Sequence, residues 1–305
     1  MTWFLIALIT PFVHSIANFI DKILLSKYFS SFSLFVFIIY TAVASIIVLP
    51  LFLILGGVSI LHISFLNIIL LITAGICSAG AIYFYLYALY REDASVVVPF
   101  FQLIPVVSYI LSLVILKETI SNSQIFGSLV IVLGAATLSF ELELGKRIKF
   151  RKNVVIAMVI MSILFSLEGV LFKLVAINNN FWLSNFWESI GFILLGSFIF
   201  LFYKRHRNEF LLSVKIHKSK ITLFVLLSEF FTVIGNISLN YAFLLAPIAI
   251  VRVVEGYQPV FVLVIGIIIT LAFPSILKEK IHWKYLVPKL LAIVIILVGS
   301  YFVLH

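Results

Sequence analysis

Charged side chains that lie within otherwise apolar stretches are the residues of this chain most able to do chemistry. The acidic members are Asp21, Glu168, Glu188, Glu229 and Glu255, and the basic members are Lys22, Lys173 and Arg252. Inserting a charged group into an apolar phase costs about 2.5–3.5 kcal/mol, so such groups are retained for a purpose. These residue types predict ion pairing, ion binding and proton exchange.

Three of the glutamates share one depth. Counted from the same end of their apolar stretches, Glu168, Glu188 and Glu255 each lie about six or seven residues in, which is roughly 10 Å along a helix. Arg252 precedes Glu255 by three positions and lies on the same helical face. We expect one polar cluster that binds a polar or zwitterionic solute, with Arg252 holding an anionic group and Glu255 exchanging a proton. The alternative is a structural pair in which Arg252 and a glutamate neutralise each other.

Two further sets of polar residues recur at helical spacing. Glu229, Asn236 and Asn240 are separated by seven and four positions, and His14 and Asn18 by four. Each set therefore lies along one face of a helix. We expect these residues to line a transport pathway or to couple the transfer of an ion to transport. The alternative is hydrogen bonding between neighbouring helices.

Four aromatic residues near these polar positions are candidates for the wall of a pocket. They are Tyr83, Tyr87, Trp187 and Tyr257. One interpretation is that they contact an amphipathic solute. The other is that they face lipid or belong to an interfacial aromatic belt.

The elements that position these residues must be membrane-spanning helices. Hydrophobic residues make up 64% of the 305 residues and charged residues 11%, a composition that no soluble domain of this length can bury. About 20 apolar residues in a helix cross the hydrocarbon layer. Candidate spans occupy residues 2–25, 33–55, 66–89, 94–116, 123–141, 154–175, 182–203, 221–244, 248–272 and 285–304. No basic segment precedes the first span and no cleavage site follows it, so we expect it to be retained.

Local signals mark the ends and breaks of several spans. Ser121 and Gln124 have capping-box spacing and predict the start of the fifth span. Pro105 and Pro259 lie within spans, where each removes a backbone hydrogen bond that neighbouring helices must replace.

The net charge of +9 does not indicate nucleic-acid binding. The basic residues fall in short connections between apolar stretches, of which 142–153 and 204–220 are the longest, and this pattern indicates orientation against anionic lipid. The sequence has no HExxH, GxSxG or Walker motif, and its 6 histidines lack metal-ligand spacing. We therefore expect neither an enzyme nor a bound metal or cofactor.

Matches at nearly constant offsets predict a duplicated chain. The matched pairs are Ser15 with Ser166, Lys22 with Lys173, Ala88 with Ala242, Pro105 with Pro259 and Glu118 with Glu279. Five spans per copy is an odd number, so the second copy enters the membrane upside down. The predicted units are residues 1–145 and 153–305. The predicted fold is all-α, with ten transmembrane helices as two inverted five-helix repeats.

These residues resemble the drug/metabolite transporter superfamily, in particular its ten-helix family built of two EamA domains. The shared pattern is an alanine after the third span, a proline within the fourth, an acidic residue closing it and a glycine-rich fifth span. The first half shows Ala88, Pro105, Glu118, Gly127 and Gly134, and the second half shows Ala242, Pro259, Glu279 and Gly299. Lys117 and Lys278 stand where the family usually has glycine, so the Lys–Glu pairs are poor indicators of substrate.

The resemblance implies a secondary transporter of the plasma membrane that moves a small metabolite or drug-like solute by alternating access. Export is the implied direction. A flippase for a lipid or lipid-linked sugar is the alternative within this fold, and an intramembrane enzyme or receptor is the alternative of another class. The expected partners are the solute, protons and the bilayer, for a monomer or a homodimer.

Two lines of reasoning disagree on orientation. The odd-numbered connections carry most of the Lys and Arg residues, whereas the even-numbered ones carry Lys117 alone. The positive-inside rule therefore puts both termini outside. The family resemblance implies that both termini are cytoplasmic, so the sequence leaves the orientation open.

Overall fold

Helices make up nearly all of the chain that the structure describes. The structure is a computed structural model, and it describes residues 2–27, 33–57, 63–92, 97–139, 152–272 and 283–304. The helices are α1 (Thr2–Lys27), α2 (Leu34–Gly56), α3 (Phe65–Leu89), α4 (Leu103–Ile115, after a 3₁₀ turn at Val98–Gln102), α5 (Asn122–Ser139), α6 (Lys152–Ala176), α7 (Phe181–Phe202), α8 (Lys204–Leu245), α9 (Ile248–Val254, before a 3₁₀ turn at Glu255–Tyr257), α10 (Gln258–Ala272) and α11 (Trp283–Leu304).

These helices supply the predicted spans. Within the described ranges, seven helical segments are long and apolar enough to cross a membrane, and α9 with α10 forms one of them. Three shorter apolar helices, at Phe100–Ile115, Asn122–Thr137 and Leu290–Leu304, complete the predicted ten. The all-α membrane fold is confirmed, the helices of the described residues fit the predicted ten spans, and the chain is a multi-pass integral membrane protein.

Large apolar side chains cover the outside of the helix bundle. Leu5, Ile54 and Leu271 are 64%, 78% and 72% exposed, respectively. Exposing a continuous apolar surface of this kind is unfavourable in water but not in hydrocarbon. The sequence composition and the exposure pattern therefore agree on lipid as the surrounding solvent.

Helix pairing follows a two-fold pattern. Helix α1 packs on α8 and α3 packs on α6, while α2 packs on α7 and α5 packs on α11. Each pairing joins corresponding or exchanged elements of the two predicted halves, as an inverted duplication requires. The proposed boundary between 145 and 153 falls largely outside the described residues, so the unit bounds 1–145 and 153–305 remain a prediction.

Matched serines make matched contacts in the two halves. The Ser15 hydroxyl donates a 3.2 Å hydrogen bond to the backbone carbonyl of Gln258. The Ser166 hydroxyl donates a 3.1 Å hydrogen bond to the carbonyl of Ile104. Each of these carbonyls belongs to the residue immediately before an intrahelical proline. Side chains from the partner half therefore hold the backbone where a proline interrupts the helical hydrogen bonds.

The start of α5 is a complete capping box. The backbone N–H of Gln124 donates to the Ser121 hydroxyl at 3.2 Å, and the N–H of Ser121 donates to the Gln124 side-chain oxygen at 3.0 Å. The predicted start is therefore confirmed.

Removing this cap is expected to cost little. Ser121→Ala should lower the free energy of unfolding by about 1 kcal/mol, because one helix-terminal N–H loses its acceptor. Unfolding of the purified protein by denaturant would measure the change, with Asn122→Ala at the next exposed position as the control. Equal stabilities for Ser121→Ala and Asn122→Ala would contradict it.

The predicted connection 204–220 is helical, a feature that the sequence analysis did not predict. Its residues form the first half of α8, which has 42 residues and is about 63 Å long, more than a bilayer requires. The Ser213 side chain is buried and bonds to the Tyr40 hydroxyl at 2.9 Å. Glu209 accepts a 3.0 Å bond from Arg205 Nε. Burial opposes ionisation of Glu209, but its contacts with Arg205 and the Ser33 N–H outweigh burial and hold the pKa of its carboxyl below the ordinary value.

Two glycines bring the backbones of α3 and α7 into contact. A Cβ atom on Gly191 would collide with the carbonyl of Ile72, and one on Gly75 would collide with the carbonyl of Glu188. The crossing therefore requires glycine on both helices. Because Glu188 lies at the contact, this crossing also sets the position of its carboxyl group.

Candidate charged and polar site

Arg252 joins two of the three predicted glutamates. It lies on α9, is 3% exposed, and donates from Nη2 to Glu168 at 2.6 Å and from Nη1 to Glu255 at 3.0 Å. Nη2 also donates to the carbonyl of Phe165 at 2.8 Å. Its Nε is buried and has no partner among the described residues. Arg252, Glu168 and Glu255 therefore form one ionic triad between α6 and the α9 segment.

Glu188 extends this triad into α7 and α8. The Asn240 amide donates to Glu188 Oε2 and to Asn185 Oδ1, both at 3.0 Å. The carboxyl groups of Glu168 and Glu188 lie within hydrogen-bonding reach of each other. Two carboxylates have no donor, so a hydrogen bond between such groups requires a proton on one of them. The structure therefore brings the predicted layer of glutamates together.

Sequence reasoning missed Asn185. It precedes Glu188 by three positions and so lies on the same face of α7, which is the signal that would have found it. Its side chain is buried, donates to the carbonyl of Phe181 at 2.8 Å and accepts from Asn240. Asn185 therefore orients the amide that contacts Glu188.

The site carries more acidic than basic groups. Three carboxyl groups, from Glu168, Glu188 and Glu255, surround the single guanidinium of Arg252. Both terminal nitrogens of Arg252 already contact carboxylates, so an anionic solute would have to displace one of them. The expectation that Arg252 holds an anionic group therefore fits this arrangement less well than binding of a cation or a proton.

His14 and Asn236 lie beside the triad. The His14 ring on α1 contacts the Asn236 side chain and the Thr232 backbone of α8, and it interacts electrostatically with Glu255. Its Nε2 is buried without a partner among the described residues and faces Gly235. The structure thus joins two residues that the sequence placed in separate stripes. Asn18 is exposed and does not share this environment.

Glu229 lies farther along the interface between α1 and α8. It interacts electrostatically with Asp21, whose carboxylate accepts a 2.6 Å hydrogen bond from the Ser228 hydroxyl. The hydroxyl of Thr10 also crosses this interface, to the carbonyl of Gly235 at 3.0 Å. A polar seam therefore runs from Asn240 and Asn236 towards Glu229 and Asp21.

The four aromatic candidates lie outside the contacts described for the triad. The Tyr257 hydroxyl forms a 2.5 Å hydrogen bond with the Ser300 hydroxyl. The Trp187 ring packs in apolar clusters, and its Nε1 is buried. The Tyr83 ring stacks on Phe35 with centroids 4.8 Å apart. Arg91 lies 3.6 Å over the ring of Tyr87. Their assignment to a substrate pocket stays a prediction.

Comparisons with known proteins agree with this architecture. A solved crystal structure superposes with a TM-score of 0.62 at 14% identity, over 99% of this chain and 96% of that chain, a likeness that shows the fold. A 69-residue stretch is 38% identical to an uncharacterized protein of Methanocaldococcus jannaschii, covering 23% of this chain and half the length of that relative.

The first half of the chain also matches a family. Residues 1–140 match the EamA-like transporter family, in the half that carries Ala88, Pro105 and Glu118. This is the family that the sequence pattern resembles, and its multi-helix membrane architecture is the one described above. Residues 1–140 are therefore similar to the EamA-like transporter family, and this match supports the predicted EamA domain in the first half of the chain.

Proposed function

We propose that this protein is a secondary transporter that carries a small, positively charged or zwitterionic solute across the cell membrane by alternating access. The observation that supports this most is the buried triad of Arg252, Glu168 and Glu255 with Glu188 beside it. The triad lies among four of the packed helical segments in a chain whose surroundings are apolar. A purely structural ion pair would not require two additional carboxyl groups.

The contact between Glu168 and Glu188 supports proton coupling. A proton shared by the two carboxyl groups can leave when a cationic group of the solute arrives, because both compensate the same negative charge. His14 beside Glu255, and the seam through Asn236 and Asn240 to Glu229, provide polar groups along which such a proton can move. Proton and solute would then occupy the site in turn, as exchange requires.

The remaining parts of this proposal rest on the family resemblance and on missing motifs. Export is the proposed direction by resemblance alone. Catalysis is not part of the proposal, since the sequence carries no nucleophile or metal motif with the required spacing. The solute, protons and the bilayer are the proposed partners, and no cofactor is invoked.

Glu188→Gln is the variant that tests the site. Its amide can donate to Glu168 and accept from Asn240, so it mimics the protonated glutamate and should leave the fold intact. We expect the affinity for a cationic solute to fall about tenfold or more, because a desolvated charge contact is lost. Binding by the wild type should strengthen as pH rises, since protons and solute compete, and the variant should lose much of this dependence.

Binding and flux would be measured with a panel of tetraphenylphosphonium, amino acids, nucleosides and sugars. Thermal shift of the purified protein identifies binders, and flux into liposomes at two pH values establishes transport. A solute bound and moved equally by the wild type and Glu188→Gln would contradict the proposed site. Failure of all soluble probes, with movement of a labelled lipid instead, would favour a flippase.

A further inference from the structure

A second buried ionic group joins the ends of several helices on one side of the bundle. The Lys173 ammonium forms an ion pair with Glu118, and it donates to the carbonyl of Ala246 at 2.8 Å. The other oxygen of Glu118 accepts from the N–H of Ile248 at 2.9 Å. We name these four residues the clasp. It ties the end of α4, the end of α6 and the joint between α8 and α9.

The clasp combines a buried ion pair with a strained backbone. Side chains of Lys173 and Glu118 are 8% and 13% exposed, respectively, so the ion pair is largely withdrawn from solvent. Lys117, next to Glu118, has a φ of 58°, which residues other than glycine rarely adopt. Such backbone strain persists only where surrounding contacts enforce it, and it often marks a switch or a functional clamp.

The clasp lies close to the ionic triad along two helices. Ile248 lies four residues before Arg252 on α9, and Lys173 lies five residues after Glu168 on α6, so the clasp is about one to two helical turns away along both helices. The helix ends that the clasp joins adjoin the fourth, sixth and eighth connections of the chain. Because spans alternate in direction, these connections share one side of the membrane, which we name the even face.

We propose that the clasp is the gate of the even face, closed in this structure, and that Glu118 and Lys173 must separate for solute to pass between the triad and that face. The inference rests on the proposed transport function, because a gate requires a route. Docking of the α9 N-terminus between α4 and α6 closes the route. The same helix carries Arg252, so opening the clasp and rearranging the triad are linked by one rigid element.

Native Cys77 provides a reporter of opening. It is the single cysteine of the chain, is 8% exposed on α3, and lies near enough to Glu168 to interact electrostatically. A small membrane-impermeant methanethiosulfonate added at one side of oriented proteoliposomes will label it only when a route from that side opens. Asn178→Cys in a Cys77→Ser background identifies the even face, because Asn178 is exposed in the sixth connection.

Two variants weaken the clasp in different ways. Glu118→Gln keeps an acceptor for the Ile248 N–H but removes the charge, and Lys173→Met removes both the charge and the bond to Ala246. We expect each to raise the rate of Cys77 labelling from the even face by about tenfold, as a rarely populated open state becomes common. The double variant should label little faster than Lys173→Met, because both changes break one interaction.

The outcome separates a gate from a structural bond. Unchanged labelling in both folded variants would overturn the proposal, as would an equal rise from both faces, which indicates general loosening. Size-exclusion profiles and thermal unfolding confirm that the variants fold. Labelling does not depend on flux, so faster even-face labelling without any transported solute would uphold the gate while contradicting the transport function. Solute flux without any change in Cys77 labelling would uphold the transport function and contradict the gate.

Discussion

Replacing Arg252 with alanine is expected to destabilise this protein more than any other single loss of charge. The change leaves the carboxylates of Glu168 and Glu255 without their shared cation, and Glu168 is 6% exposed. Removing one partner of a buried ion pair typically costs about 3–5 kcal/mol, because the remaining charge stays desolvated. Thermal unfolding and the folded fraction after purification would measure the effect.

Companion variants distinguish charge from packing at this position. The guanidinium also lies 5.0 Å from the centre of the Phe243 ring, so alanine removes packing as well. Adding Glu168→Gln to Arg252→Ala should recover part of the loss if unpaired charge is the cause. Arg252→Lys should be intermediate, since one ammonium cannot reproduce contacts from two nitrogens. An Arg252→Ala variant as stable as the wild type would show that the charges of Glu168 and Glu255 do not depend on Arg252 for compensation.

Gly191→Ala is expected to be one of the most disruptive additions of a single methyl group. Its Cβ would collide with the backbone carbonyl of Ile72 and lie 2.9 Å from the Cα of Gly75. Backbone atoms cannot turn aside as side chains do, so α3 and α7 must move apart. We expect a loss of about 3 kcal/mol or more, at the upper end for overpacking. Because Glu188 lies at this crossing, binding of a cationic solute should weaken as well.

Gly80→Ala is the matched control, because it adds the same methyl group on α3. Its Cβ would meet only the terminal methyl of the Leu164 side chain, at 3.4 Å, which can shift. We expect unfolding temperature and solute affinity close to those of the wild type. If both variants lose stability equally, the effect comes from glycine as a residue type and not from the contact between the helices.

Local chemistry explains why so much of the architecture was predictable. The apolar stretches must be helices because a bilayer offers no partner for backbone N–H and C=O groups. The capping box at Ser121 and Gln124 depends on four neighbouring residues and was read correctly. The helical conformation of the connection 204–220 was not predicted, because a helix that leaves the membrane loses its apolar signal while its backbone continues unchanged.

The sequence predicted the depth of the site residues along their helices, but not which side chains contact each other. Spacing along the chain put Glu168, Glu188 and Glu255 in one layer, because helical rise is constant. It could not tell which carboxyl group Arg252 contacts, since that depends on how the helices rotate about their axes. The contact of His14 with Asn236 likewise depends on the close approach of α1 to α8.

The sequence by itself determined the membrane environment, the ten helices and the repeated pattern, because these follow from hydropathy, length and periodicity. Tertiary structure alone decided the pairing of Lys173 with Glu118, which lie 55 positions apart, and the partners of Arg252. Such long-range pairs form where glycine contacts and proline breaks bring particular helices together, and a linear pattern does not specify their rotation or approach.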